Sequence, residues 1–307
     1  MVVQMTKNID PISTKQVAAI LSLDFAGNNI VVNKASKFPP CEEGTLSFCN
    51  LSKDIMLSEF PSNSIIMASQ KLTDSFINKG ASVIISDNPK FDYCRLFHNL
   101  LPLKDYGVHA DAKIGCEVIL GKQVTIGSGS VLNGKIRIGE GSYIGSNVVL
   151  QNQVSIGKNV RIRNGSVIGE DAFSFGFSKN DDASSESLRF PSFGGVIIED
   201  NVQIGNNCVI SRGTFADTTL RKGALINDLV HIGNEVLVSE GAIITAHTDI
   251  SARVKIGKNC WIGQSAAIRQ GHVIGDGAIV GMGAVVVSDV PANTTVIGIP
   301  ARDKNVG

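Results

Sequence analysis

An aliphatic residue recurs at every sixth position over most of this chain. The repeat runs from Val108 to Ile168 and, after an interruption, from Ile198 to Val286. Glycine follows directly at many of these positions, as in Ile114-Gly115. A period of six fits neither an amphipathic helix nor a strand that alternates every two residues. It is typical of a parallel β-helix, in which each hexad supplies one side and one corner of a coil.

Breaks in the repeat divide the chain into segments. Residues 1–106 lack the period, and residues 107–291 carry it. Residues 174–195, which are polar with several aromatics, interrupt the repeat. We interpret them as a loop that leaves the coil, either lining a binding face or tolerated as a surface insertion. Residues 216–219 act as a four-residue insertion, and residues 292–307 form a C-terminal tail after the helix has ended. We therefore predict an all-β dominated fold, a left-handed parallel β-helix with a small N-terminal α/β domain.

Short patterns before the repeat indicate the α/β domain. Apolar residues follow a helical spacing over residues 12–23, behind possible capping hydroxyls. Residues 64–67 and 82–86 are apolar runs of strand length, and residues 91–101 show a second helical pattern that a proline ends. These elements predict a small layered unit in front of the β-helix.

Composition excludes several classes of function. The formal net charge is +0 and the isoelectric point is about 6.9, so the chain lacks the basic character typical of nucleic-acid binding proteins. It contains no apolar run long enough for a membrane span, and its N-terminus is too polar for a secretory signal. The 6 cysteines form neither CxxC pairs nor metal-ligand spacing with histidine. These features predict a cytoplasmic protein without a structural metal.

Histidines in the last part of the repeat suggest where chemistry takes place. One coil contains about 18 residues, so His231 is expected to stack beside Asp249 on the neighbouring strand. His231 precedes the inward Ile232 and should face outward, and His247 is expected on the same side as Asp249. An outward imidazole whose tautomer is fixed by a carboxylate can act as a general base. The same residues can also form a surface ladder pair with no chemistry.

Longer motifs stand out at residues 44–53, 85–91, 107–115, 169–176, 193–202 and 211–218. Together they resemble one family of hexapeptide-repeat enzymes, the UDP-3-O-acylglucosamine N-acyltransferases of lipid A synthesis. The resemblance implies a homotrimer of left-handed β-helices with active sites in the clefts between subunits. It also implies an N-terminal domain that holds the nucleotide base, and acyl transfer from a thioester to the amine of a nucleotide-linked sugar.

The chain departs from this family at the catalytic position. Where these enzymes carry a catalytic histidine, this chain has Asn234, whose amide can donate to an oxyanion or hold a sugar hydroxyl but cannot act as a base. His272 matches another histidine of the family. Three mechanisms stay open: His231 as the base with Asp249 or His247, His272 acting across the cleft, or no side-chain base, because a thioester is already activated.

A second departure lies at the C-terminus, which resembles the tail of coenzyme A-dependent sugar acetyltransferases. That resemblance implies that Gly281, Gly283 and Ala284 line the pantetheine arm and that Arg302 meets a coenzyme phosphate. An arginine in a tail can also be simply solvated. This ending favours acyl-CoA over acyl carrier protein as the acyl donor.

The resemblance also assigns residues to the nucleotide. Phe48 matches an aromatic residue that stacks on uracil in the family, although it can instead be a core residue. Asn50 and Lys53 lie in the same segment, with the asparagine displaced by one position from the family pattern. This displacement leaves the identity of the base open between uracil, thymine and guanine.

Taken with the resemblance, these features predict an enzyme that N-acylates a nucleotide-linked amino sugar for bacterial surface polysaccharide or glycolipid, such as O-antigen. The expected co-substrate is acyl-CoA, and the expected assembly is a homotrimer. The first alternative is the lipid A enzyme itself, which uses hydroxyacyl carrier protein. The second is a non-catalytic scaffold that binds sugar nucleotides, for which Asn234 would mark the lost activity.

Overall fold

A computed structural model describes residues 6–36, 42–50, 62–101, 107–178 and 186–304. The chain divides into two compact units, Met1–Lys104 and Asp105–Gly307. The fold class predicted from the hexad period is confirmed, because the second unit is a left-handed parallel β-helix and all the helices of the described residues lie in the first. Among the described helices, none combines the length and the apolar character that crossing a bilayer requires.

The described residues of the N-terminal unit form a mixed six-stranded sheet and three α-helices. The strand order is β1-β3-β4-β5-β6-β2, with parallel pairs in the centre and an antiparallel pair at each edge. Its elements are β1 (Thr6–Ser13), α1 (Thr14–Leu21), β2 (Phe25–Ala26), β3 (Val31–Ser36), β4 (Thr45–Phe48), β5 (Ile65–Ala68), α2 (Thr73–Ile77), β6 (Ser82–Ile85) and α3 (Pro89–Leu100), with a 3-10 turn at Gln70–Leu72 before α2.

Local chemistry fixes the ends of the predicted helices. Ser13 caps α1 by accepting a hydrogen bond from the backbone N–H of Gln16, whose side chain accepts one from the Ser13 N–H in return. The α1 face that carries Val17 and Leu21 is buried. Asn88 caps α3 with its side-chain oxygen, which accepts the N–H of Phe91, and a proline occupies the first turn, where its missing N–H costs nothing.

The C-terminal unit is the β-helix. Its first strands are β7 (Lys113–Ile114), β8 (Ile119–Leu120), β9 (Thr125–Ile126), β10 (Val131–Ile138), β11 (Tyr143–Ile144), β12 (Val149–Ile156), β13 (Arg161–Ile162), β14 (Val167–Glu170), β15 (Phe175–Phe177), β16 (Ser187–Arg189), β17 (Val196–Ile198), β18 (Gln203–Ile204), β19 (Val209–Ser211) and β20 (Thr218–Leu220). The later strands are β21 (Leu225–Ile226), β22 (His231–Ile232), β23 (Leu237–Val238), β24 (Ile243–Ile244), β25 (Asp249–Ile250), β26 (Lys255–Ile256), β27 (Trp261–Ile262), β28 (Ala267–Ile268), β29 (Val273–Ile274), β30 (Ile279–Val280), β31 (Val285–Val286), β32 (Thr295–Ile297) and β33 (Arg302–Asp303).

From Ile126 onward the hexad residues point into the prism and form its core, whereas Val108 and Ile114 in the first coil are exposed. Ile226, Ile232, Ile244 and Ile250, for example, are 3%, 0%, 0% and 0% exposed. The residue before each of them on the strand points outward, because side chains alternate along a strand. Each fully buried isoleucine contributes about 1.5–3 kcal/mol of hydrophobic stabilisation, so the repeated position is the main source of stability of the coil.

Corners are held by residues in the left-handed backbone region. Gly241 has φ +67°, and a Cβ placed there would lie 2.5 Å from Oδ1 of Asn259, which occupies the corner one coil further on with φ 52°. Glycine is required here for two reasons, since an L side chain is strained at this φ and would meet the stacked amide. This stacking explains why many hexads pair an inward aliphatic residue with glycine or asparagine at the turn.

Two insertions leave the prism at one corner. Between β12 and β17 the register jumps by 42 residues, from Val154 to Val196, and part of the extra chain forms the antiparallel hairpin β15–β16. Val209 pairs with His231, which lies 22 residues further along the chain. This separation matches an 18-residue coil plus the predicted four-residue insertion.

The coil continues past residue 291, where the sequence predicted its end. β32 adds one more parallel strand beside β30, with Ile279 opposite Thr295, and β33 then turns back antiparallel to β32. The final coil is two residues shorter than the others, which breaks the sequence period. The prism nevertheless continues because Val296 still points inward and is only 6% exposed.

Candidate active site

His231 and Asp249 form a hydrogen-bonded pair on the outer surface of the β-helix. They lie directly opposite each other on β22 and β25, and Nδ1 of His231 is 2.6 Å from Oδ1 of Asp249. Both side chains are about half exposed, at 49% and 56%. The predicted pairing is confirmed. With its Nδ1 proton donated to the carboxylate, the ring leaves the Nε2 lone pair free to take a proton.

The other two predicted residues near this pair lie on corners. His247 has φ 59° and precedes β25, so the alternation that placed it on the same side as Asp249 does not apply to it. Asn234 lies two residues after the end of β22 and is partly buried, and its backbone carbonyl oxygen accepts the N–H of Arg253 at 2.9 Å. The structure therefore brings Asp249 onto His231, with Asn234 at the adjoining corner.

Sequence reasoning missed Glu235, which holds the loop of residues 212–217 against this corner. Oε1 of Glu235 accepts hydrogen bonds from the Thr214 hydroxyl at 2.6 Å and from the N–H groups of Phe215 at 2.8 Å and Ala216 at 3.2 Å. Burial raises the pKa of the Glu235 carboxyl, but these hydrogen bonds outweigh burial and hold the pKa below its ordinary value. The carboxylate thus stays charged and keeps the loop in place.

The same loop is fixed from its other side. Nε of Arg212 lies 2.8 Å from Oδ1 of Asp171, and an Nη of Arg212 donates to the carbonyl oxygen of Ser192. Oδ1 of Asp217 accepts the N–H of Gly195 at 2.6 Å. Arg212 and Asp217 both lie in the motif at residues 211–218, which supported the family resemblance but gave no prediction of these contacts.

His272 also has an acidic partner that the sequence did not indicate. Its Nδ1 lies 3.0 Å from Oδ1 of Asp289, which also accepts the N–H of Val273 at 3.0 Å. These two hydrogen bonds, the backbone one first, lower the pKa of Asp289. The two residues are 17 positions apart rather than 18, so a search at the coil length overlooks them.

A third pair, His109 with Asp111, lies in the first coil. The His109 ring contacts the Asp111 carboxylate, which also accepts the Ser128 hydroxyl at 2.8 Å. The Ser128 hydrogen bond is the main reason that the pKa of Asp111 lies below its ordinary value. A histidine beside a carboxylate is therefore not unique to the predicted site, which makes this pair a useful control.

The residues assigned to a coenzyme do not form a common surface. Ala284 is 0% exposed, its N–H donates to Gly281, and its carbonyl oxygen accepts from Ala267. A Cβ at Gly281 would meet Ile297, so that face is already covered by β32. Gly283 sits at an open corner with φ +67°, and Arg302 lies exposed on β33.

The nucleotide-binding prediction concerns the N-terminal unit. Phe48 ends β4 and is partly buried, with its ring 5.0 Å from the ring of Tyr93. Asn50 is exposed, and its Oδ1 accepts the N–H of Lys90 at 3.2 Å at the start of α3. Lys53 lies outside the described residues. Binding of a base by these residues stays a prediction.

Comparison with known proteins places the repeat in a family. Residues 135–170 match a family model described as bacterial transferase hexapeptide (six repeats). Residues 195–215 and 253–288 match one described as hexapeptide repeat of succinyl-transferase. The matched residues all lie in the β-helix.

Whole-chain similarity is more specific. UDP-3-O-acylglucosamine N-acyltransferase 1 of Sulfurimonas denitrificans is 34% identical over 257 residues, which is 80% of this chain and 79% of that protein. The enzyme of the same name from Methylococcus capsulatus is 37% identical over 92 residues, so this match spans only 25% of its length. The crystal structure of UDP-N-acetylglucosamine O-acyltransferase from Moraxella catarrhalis covers 64% of this chain and 73% of its own, with a TM-score of 0.57 and 22% identity. That likeness shows a shared fold.

These relatives correct the predicted reaction. The expectation of an acyl-CoA-dependent enzyme outside lipid A synthesis is wrong, because proteins similar over about four fifths of the chain carry the name UDP-3-O-acylglucosamine N-acyltransferase. On the extent of this similarity, the chain belongs to the UDP-3-O-acylglucosamine N-acyltransferase family of hexapeptide-repeat acyltransferases.

Proposed function

We propose that the protein transfers an acyl group from the thioester of acyl carrier protein to the free amine of a UDP-3-O-acylglucosamine. This reaction is the first of the two alternatives that the sequence left open. The observation that carries the proposal is the 34% identity to an enzyme of that name across 80% of the chain. The N-terminal unit would hold the base through Phe48 and Asn50, and three chains would form the working assembly. A cytoplasmic location stays a prediction.

We assign the role of general base to His231, supported by Asp249. Nε2 of His231 takes a proton from the attacking amine as its nitrogen bonds to the thioester carbonyl carbon. The resulting oxyanion is stabilised by an N–H donor, for which the amide of Asn234 is suited. When the carbon–sulfur bond breaks, the imidazolium returns its proton to the departing thiolate. The steps balance without a metal or a redox partner.

Accessibility favours His231 over His272, because each ring has a carboxylate partner, at 2.6 Å and 3.0 Å respectively. The carboxylate fixes the ring with Nε2 outward, and 49% of the His231 side chain is exposed to an incoming substrate. The side chain of His272 is only 23% exposed. A base must reach the proton that it abstracts, so accessibility decides between two otherwise similar pairs.

Activity with matched donors tests the proposed reaction. Purified protein is given UDP-3-O-acylglucosamine with either hydroxyacyl carrier protein or the hydroxyacyl-CoA of the same chain length, and the N-acylated product is measured by mass spectrometry. We expect product from the carrier protein and much less from the CoA ester. If folded protein releases product with neither donor, the reaction is refuted and the non-catalytic scaffold is favoured.

Two histidine variants and one control test the base. We expect His231→Asn to lower kcat by roughly 10²–10⁴-fold, the usual contribution of a general base. His272→Asn and the control His109→Asn, which disrupts a similarly exposed pair in the first coil, should retain kcat within a few fold. Near wild-type kcat in both His231→Asn and His272→Asn would refute the assignment and favour a reaction without a side-chain base.

A further inference from the structure

Three phenylalanines form a cluster of rings, called here the Phe platform, which consists of the partly buried Phe190 and the exposed Phe193 and Phe215. The ring of Phe215 stacks on Phe193 with centroids 6.0 Å apart and meets Phe190 edge-on at 5.7 Å. Phe215 is 71% exposed and Phe193 is 65% exposed. Aromatic rings left in water forgo much of the stabilisation that burial brings, so a cluster of them on a surface indicates a binding role.

The Phe platform is rigidly held. A Cβ at either Gly213 or Gly194 would collide with the carbonyl oxygen of Ala216, so the two loops that carry the rings pack backbone against backbone. Glu235 and Arg212 tie the same loops with five hydrogen bonds, three from the first and two from the second. Side chains that are already ordered lose little entropy when a ligand binds. This feature separates the platform from rings on a mobile loop.

The Phe platform lies at the corner next to the proposed base. Glu235, whose carboxylate holds the N–H of Phe215 at 2.8 Å, is the neighbour of Asn234 in sequence. Val209, on the strand that leads into this loop, lies directly beside His231 in the sheet. The rings therefore border the surface from which an amine and a thioester would approach His231.

An aliphatic chain fits this surface better than a sugar or a phosphate. Three apolar ring surfaces favour a ligand without charge, and the anionic Glu235 beneath them disfavours a phosphate. The proposed reaction brings two such chains to this place, one on the thioester and one on O3 of the acceptor, as the names of the relatives state. Each is attached close to a reacting atom and must extend along the protein surface.

We infer that the Phe platform binds an acyl chain of this reaction and that Phe215 sets the preference for its length. The inference rests on the proposed function. Contact with a ring grows with each methylene that reaches it, whereas a chain too short to reach the ring gains nothing. The platform therefore discriminates by length rather than by contributing equally to all substrates.

Binding measured without turnover separates this inference from the proposed function. In the first experiment, UDP-3-O-acylglucosamine with a long or a short O-linked chain is titrated into Phe215→Ala by calorimetry. In the second, acyl carrier proteins with a long or a short acyl chain are compared by their KM or, if turnover is absent, by their Kd. We expect roughly tenfold weaker binding of the long chain with little change for the short one. Phe215→Leu should restore part of the difference. The ligand class that shows the effect identifies which chain lies on the platform.

Phe177→Ala is the matched control, because Phe177 is 64% exposed on β15 and lies outside the Phe platform. It should leave the ratio of long-chain to short-chain affinity unchanged. The inference is overturned if Phe215→Ala weakens long and short chains equally, or changes neither. A change in oligomeric state on Phe215→Ala would also overturn it, since a second copy of the chain would then cover the rings.

Discussion

Replacing Asp249 with asparagine isolates the contribution of the carboxylate to the proposed base. The variant keeps the shape of the side chain but removes its charge. A hydrogen bond to a charged group is worth about 1.5–3 kcal/mol and a neutral one about 0.5–1.5 kcal/mol, a difference of about 1 kcal/mol. Because 56% of the Asp249 side chain and 49% of the His231 side chain are exposed, solvent screening keeps the loss near this lower figure.

A second effect adds to this loss. The asparagine side chain can present either its oxygen or its NH₂ group to Nδ1 of His231, so it no longer fixes the tautomer that leaves Nε2 free. Since 1.36 kcal/mol corresponds to a tenfold change in rate, the two effects together lower kcat by about tenfold. The loss should be at least tenfold smaller than that caused by His231→Asn.

Steady-state kcat with acyl carrier protein as the donor measures this difference. Asp111→Asn, which changes the matching carboxylate beside His109, serves as the control and should leave kcat unchanged. A loss in Asp249→Asn as large as that in His231→Asn would refute the reasoning. It would mean that the pair is desolvated in the working enzyme rather than half exposed. If neither Asp249→Asn nor His231→Asn lowers kcat, His231 is not the general base.

Three further predictions concern the fold around the site. Glu235→Gln should make unfolding less sensitive to acid. Hydrogen bonds hold the pKa of the Glu235 carboxyl in the folded protein below its ordinary value of 4.5, so the carboxylate stabilises the fold above pH 4.5, and this stabilisation is lost as the pH falls through the lowered pKa. Thermal unfolding of both proteins between about pH 6 and pH 3 measures the difference. A parallel decline in both proteins would contradict it. Gly241→Ala should lower the free energy of unfolding, measured by denaturant titration, by about 1–3 kcal/mol. The loss should be clearly larger than that in Gly223→Ala, where an added Cβ meets no other atom. Equal losses would show that contact with the neighbouring coil is unimportant. A maleimide should label the exposed Cys116 well before the buried Cys260, since burial raises the pKa of the Cys260 thiol. Peptide mass spectrometry measures the extent of labelling at each cysteine. Equal labelling would contradict the packing around Cys260.

The fold could be predicted because the hexad is a local pattern. Each inward aliphatic residue makes the same contacts as its neighbours one coil away, so reading the period is enough to place Ile232 inside and His231 outside. The stacking of His231 on Asp249 followed from the coil length alone. The four-residue insertion before β20 was also visible, because it shifts every later hexad.

Other parts of the site could not be read from a regular spacing. His272 and Asp289 meet across a shortened interval, and the last coil formed by β32 lacks the period altogether. The contacts of Glu235 with Thr214 and Phe215 cross an inserted loop whose path no repeat describes. The prediction of acyl-CoA as the donor was wrong because it rested on a short C-terminal motif, whereas the relatives are similar over about four fifths of the chain.

The sequence by itself determined the prism, the outward position of His231 and its acidic partner. In a regular β-helix, residues that are one coil apart in sequence lie side by side on neighbouring strands, so the coil length is enough to pair them. Only the tertiary structure decided how the two inserted loops fold over the neighbouring corner, how Glu235 fixes them and which rings remain exposed. Those contacts join residues about 20 positions apart through an irregular path, and their geometry depends on hydrogen bonds and backbone packing that have no period.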